Sequence, residues 1–183
     1  MFVDNENCFT TGPSSLVVPG FVPAQALPQA VGTAALNNVI DSGPLGGQNT
    51  QALVPNSGRD FGMGYPVWLV VLITQALASG GAATVDLQLV SSASPLLTAP
   101  VVMLDITGGA QAFNAAPLAA QRAYRIALPR AGMNTTTNPT GWLRYIGINA
   151  IVAGAALTAG MVAAFLTRDV QDTTLYQGGF IVN

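Results

Sequence analysis

The sequence predicts an all-β protein, an antiparallel sandwich or barrel. Three observations point there. At least six short extended runs are separated by Gly, Pro, Asn and Ser. Helical periodicity is almost absent. Several of the runs are apolar on both faces.

Residues 1–35 read as an extended N-terminal arm. Pro13, Pro19, Pro23 and Pro28 recur through it, each fixing φ and removing an amide donor. Leu16, Val17, Val18, Phe21, Val22 and Leu27 make the arm too apolar for a solvated linker, so it should dock. Residues 36–183 read as one sandwich domain, a size that fits the chain length of 183 residues.

The first run of that domain is 37–41, closed by Ser42, Gly43 and Pro44. A Gly-, Asn- and Gln-rich loop follows over 46–64. The strongest strand is 66–74. Val67, Leu69, Val71 and Ile73 share one face, and Trp68, Val70 and Leu72 the other, so both faces should be covered. After the Ser79, Gly80 and Gly81 turn, Val85, Leu87 and Leu89 alternate with Thr84, Asp86 and Gln88, predicting a half-buried strand with one wet face. Residues 101–107 group Val102, Leu104 and Ile106 with Asp105 opposite, and stop at Gly108 and Gly109.

One short helical turn is expected within 115–121. Residues 122–128 group Tyr124, Ile126 and Leu128. The loop 130–141 carries Asn134, Thr135 and Thr136, a chance match to a glycosylation sequon. The last strong runs are 142–152 and 161–167, with a small-residue stretch between them. In the tail, Phe180, Ile181 and Val182 could form a closing strand.

Residues 146–166 hold no charge over a length that would span a bilayer, so a small membrane protein is an alternative. Gly147, Gly154, Gly160 and Asn149 argue against a spanning helix. The pattern is that of a β-hairpin turning near Gly154.

Composition removes many functions. The chain has no lysine and no histidine, so no Ser-His-Asp triad, imidazole metal ligand or Schiff-base lysine is possible. Only 8% of residues are charged and the net charge is −2, a poor match to nucleic acid. Cys8 is the single cysteine and makes no internal disulfide. The N-terminus lacks the basic segment of a secretory signal peptide.

A two-carboxylate glycosidase would have to use Asp41, Asp60, Asp86 or Asp105, and Asp86 and Asp105 sit where solvated acids belong. Asp169 and Asp172 lack the ligand density of a calcium loop. Gly62, Met63 and Gly64 precede a strand, which rules out a dinucleotide fold. Arg122, Arg125 and Arg130 do not share a face. No catalytic residue, cofactor or metal site is expected. The low charge and apolar sheet faces instead predict a chain covered by partner protein, most simply a homodimer.

Several blocks together carry a resemblance. They are Met1-Phe2-Val3-Asp4-Asn5-Glu6-Asn7-Cys8-Phe9, Asn38-Val39-Ile40-Asp41-Ser42-Gly43, Gly58-Arg59-Asp60-Phe61-Gly62, Pro66-Val67-Trp68-Leu69-Val70-Val71 and Ala83-Thr84-Val85-Asp86-Leu87-Gln88-Leu89. Arg144-Tyr145-Ile146, Leu157-Thr158-Ala159-Gly160-Met161-Val162-Ala163-Ala164-Phe165-Leu166 and Asp169-Val170-Gln171-Asp172 follow in the same order. Together they resemble the capsid cement, or decoration, proteins of short-tailed phages of the Bordetella-phage type. Residues 10–35 are longer and richer in proline than the usual opening of that family.

The resemblance implies a jelly-roll sandwich, with no enzymatic activity, that sits as a dimer on the outer surface of the virion capsid. Its partner would be the major capsid protein, clamped across subunit boundaries, with neither nucleic acid nor membrane involved. Val17, Val18 and Phe21 in the arm, with Trp68 and Trp142 as aromatic anchors, are the expected contacts. Core packing is the competing role for both tryptophans. Another virion part, such as a head-fibre base or tail protein, is the alternative.

Overall fold

The structure, a computed structural model, describes residues 7–10, 24–41, 67–128 and 142–168. Its strands are β1 (Gln25–Ala26), β2 (Gly32–Ala35), β3 (Ile40–Asp41), β4 (Trp68–Ser79), β5 (Thr84–Ser92), β6 (Val101–Asp105), β7 (Gln111–Ala112), β8 (Ala123–Ala127), β9 (Tyr145–Ala153) and β10 (Leu157–Thr167). A 3-10 turn, Ala116–Leu118, lies inside the stretch expected to hold one.

The strands form two antiparallel sheets. The first has the order β1-β10-β4-β8. The second has the order β2-β9-β5-β6, with β3 also on β9 and β7 also on β5. The protein is therefore the all-β sandwich that the alternation predicts. Residues 24–35, read from the sequence as part of the arm, run extended and supply an edge strand to each sheet.

The period-2 pattern decides which side chains enter the core. In β4, Leu69, Val71 and Ile73 point inward and register against Leu166, Ala164 and Val162 of β10. In β5, Val85, Leu87 and Leu89 oppose Val152, Ala150 and Ile148 of β9. Each large side chain of this kind contributes about 1.5–3 kcal/mol when buried. The outward set of the first sheet is covered too. Val70 and Phe165, paired in register, and Ala163 are all buried. This is the double coverage expected of a strand with two apolar faces.

The segment 146–166 is a pair of strands, and no helix among the described residues is long and apolar enough to cross a membrane. It is not a hairpin, however. β9 belongs to the second sheet and β10 to the first, so residues 154–156 carry the chain across the core. The physical reason is coverage. A hairpin would set Ile148, Ala150 and Val152 beside Val162, Ala164 and Leu166 on one face. The crossing places them opposite each other, and all six are buried.

The β4–β5 connection crosses alongside in the opposite direction, from the first sheet to the second. Gly154 adopts φ +79°, and a side chain there would collide with the Ala82 carbonyl oxygen. Ser79 Oγ donates to Ala156 O at 2.8 Å and ties the two crossings together.

A second correction concerns β6. Leu89 registers with Leu104 but Val90 with Val102, which leaves Met103 as an extra residue. This bulge flips the parity of the strand. Met103, Leu104 and Ile106 go to the core, while Val102 turns outward and is 40% exposed.

Candidate functional surfaces

The candidate surfaces among the described residues are the outer sheet faces and one edge. On the outer face of the second sheet, Asp86 was expected to be solvated. It is buried, at 8% exposure. Thr107 Oγ1 donates to Asp86 Oδ1 at 2.7 Å, and Gln88 Nε2 donates to Asp86 Oδ2 at 2.7 Å. Thr107 Oγ1 in turn accepts from the Leu87 amide at 3.1 Å. The carboxylate is thus a structural acceptor that pins the chain after β6 onto β5. Asp105 is exposed, as expected, and accepts from the Gly108 amide at 2.8 Å, which shapes the turn.

Further along the same face, the β5–β6 loop folds back over the sheet. Gly147 pairs with Val90 in register, and Leu97 fills the space above the glycine. Val90 is fully buried as a result. Leu97 and Ala99 both adopt positive φ, 51° and 47°, in a region costly for residues with a side chain. The loop is held by Ser92 Oγ, which donates to Thr98 O at 2.8 Å, and by the Leu97 amide, which donates to Ser94 O at 3.0 Å. Leu96 stands out from it at 84% exposure.

At the end of this face, Arg144 makes a two-pronged pair with Asp41. Nε donates to Oδ1 and Nη2 to Oδ2, both at 2.8 Å. The guanidinium lies 5.0 Å from the Tyr145 ring centroid. The hydrogen bond to Asp41 strengthens its hold on its proton. Both partners are exposed, so the pair mainly fixes geometry between β3 and β9.

On the first sheet, β8 presents Arg125 outward, opposite Val70. Tyr124 faces the core side and donates its hydroxyl to Pro117 O at 2.7 Å. Burial raises its pKa, and the nearby Arg122 guanidinium opposes that shift.

The expected contact residues fall in different places. Trp68 lies on the outer face of the first sheet, half-buried, in register with Thr167 and Ala127. Trp142 is buried in the core cluster. Val17, Val18 and Phe21 lie outside the described residues, as do the loops 46–64 and 130–141, Asp60, Arg130, Asp169, Asp172 and the tail with 180–182. Among the described residues, no group of three or more His, Cys, Asp or Glu could hold a metal ion. The sequence reading missed Asn38, which joins the N-terminal segment to the rest of the sandwich. A polar Asn beside a short strand carries no such signal by itself.

The described surfaces therefore define a two-layer β protein with apolar and hydrogen-bonded faces. The chain matches the Bbp16 family over residues 23–166, most of its length, and it belongs to that family. This membership fits the Bordetella-phage protein family that the sequence blocks resemble. No curated protein sequence matches it.

Proposed function

We propose that this chain is a non-enzymatic virion structural protein, a cement protein bound to the outer surface of the phage capsid. In this reading it acts as a homodimer and clamps adjacent major capsid proteins around the packaged genome. The observation that carries the reading is membership of the Bbp16 family, which fits a Bordetella-phage origin.

Two features support it. Among the described strands, six of the nine connections pass from one sheet to the other, and only β2–β3, β5–β6 and β6–β7 stay within a sheet, an alternation compatible with a jelly roll. The chain also carries very little charge for its size, as suits a protein covered by partners.

A cement protein needs rigidity and interface area, with no reacting group. Modest binding free energy at each site, repeated over a shell, makes opening of that shell cooperative and rare. The test is direct. Purified protein added to DNA-filled heads that lack it should co-sediment with them and raise the temperature at which they release DNA. Heads that neither bind it nor change in stability would refute the reading. Binding confined to tails would make it a tail component instead.

A further inference from the structure

β2 ends the second sheet. It pairs with β9 on one side, and among the described residues no strand pairs with its other side. The Leu36 amide donates to Ile148 O at 2.8 Å. In an antiparallel ladder such bonded pairs recur at every second residue, so Ala34 and Gly32 turn their main-chain groups toward Ala150 and Val152. Thr33 and Ala35 therefore turn theirs the other way, out of the sheet. Both are exposed, as are residues 29–32, with Val31 at 57%.

This edge is held in place from both ends. Before it, the Leu27 amide donates to Gly160 O at 3.0 Å, and Gln29 O accepts from the Leu157 amide at 2.9 Å. After it, Leu36 and Ile40 are buried in the core. The edge also lacks the usual guards, which are charged residues, proline or a bulge. Residues 7–40 include no charged residue, and 29–43 no proline. β2 registers with β9 without a shift.

We propose that two copies of this chain join along this edge, β2 antiparallel to β2 of the second copy, about a two-fold axis at Ala34. The inference rests on the homodimer of the proposed function and assigns its contact. Thr33 then meets Ala35 of the second copy, and Ala35 meets Thr33 of the second copy. Each pair exchanges amide-to-carbonyl hydrogen bonds in both directions, which uses every outward group of the two residues. A second copy fits this edge because the spacing of those groups is matched by symmetry. An uncharged segment also sets no like charges opposite each other. The two second sheets become one continuous sheet.

The full-length protein is tested by sedimentation equilibrium, with unfolding followed by tryptophan fluorescence. Ala35→Pro removes an outward amide that β9 does not use, so the unfolding midpoint of the monomer should change little. The dimer dissociation constant should rise at least about ten-fold. Ala34→Cys sets two thiols across the axis at a Cα spacing of about 4.5 Å, within reach of a disulfide. Oxidised glutathione should convert this variant to a covalent dimer and be reduced to glutathione. The wild type should not cross-link, because its Cys8 is 1% exposed. Thr33→Cys, which faces Ala35, should cross-link far more slowly.

A wild-type dimer that Ala35→Pro leaves intact and Ala34→Cys does not cross-link would overturn this edge and leave the homodimer standing. A wild type that is monomeric at every concentration would overturn both. If Ala35→Pro then abolished binding to heads, the edge would take a capsid strand instead of a second copy.

Discussion

Leu97 occupies the space where a side chain of residue 147 would stand. Gly147 lies mid-strand in β9, and a Cβ added there would collide with Leu97 Cδ1. The missing side chain lets the β5–β6 loop close over the second sheet and bury Val90.

Gly147→Ala should therefore destabilise the protein by about 1–3 kcal/mol through overpacking. Leu97→Ala should cost about 2–4 kcal/mol by opening a cavity. The double variant should lose less than the sum, because the smaller residue relieves the clash. A urea-denaturation double-mutant cycle measures this coupling.

Asp86 offers the second prediction. Asp86→Ala removes the buried carboxylate that accepts from Thr107 and Gln88, leaving Thr107 only its longer bond to Gly109 O, and should cost about 1–3 kcal/mol. Asp105→Ala removes an exposed turn contact and should cost well under half as much. Equal losses in chemical denaturation would contradict the buried network.

Phe9 sits at the start of the chain yet inside the core. Phe9→Ala should cost about 3–5 kcal/mol, as for a central aromatic residue. A terminal residue that only brushed the surface would cost a few tenths, so thermal unfolding separates the two outcomes clearly.

Tyr124 gives a pH dependence. Its pKa is raised in the folded state, first by burial, so the native protein holds this proton more tightly than the unfolded chain does. The contribution is fully present below the ordinary tyrosine value of 10.0 and is lost as pH rises through the folded value. The unfolding midpoint should fall above about pH 10. Tyr124→Phe should be less stable at neutral pH, through loss of the bond to Pro117, and should show a shallower alkaline decline.

Much of this fold is legible in the sequence, and the illegible parts share a cause. Leu69, Val71 and Ile73 announce their strand because alternation is a local property. The outward turn of Val102 is not local, since it depends on how β5 and β6 register around Met103. Likewise, Gly154 signals a turn, but whether the chain returns to the same sheet depends on what Ile148 and Val162 must face.

Asp86 looks like a solvated acid because its neighbours in sequence are strand residues. Its burial depends on Thr107, which returns only after the chain has turned through β6. Of the expected contact residues, Trp142 shows why an aromatic is ambiguous in sequence, because the core takes it. Trp68 stays on an outer face, as its alternation with Leu69 implies.

The central claim is a place on the virion, and a cryo-EM reconstruction of the mature phage tests it most directly. The account predicts two-layer β density of this shape on the outer surface of the head, in two-fold pairs that bridge neighbouring capsid subunits. A head whose outer surface carries no such density, or a map that places this chain in the tail or inside the shell, would contradict it.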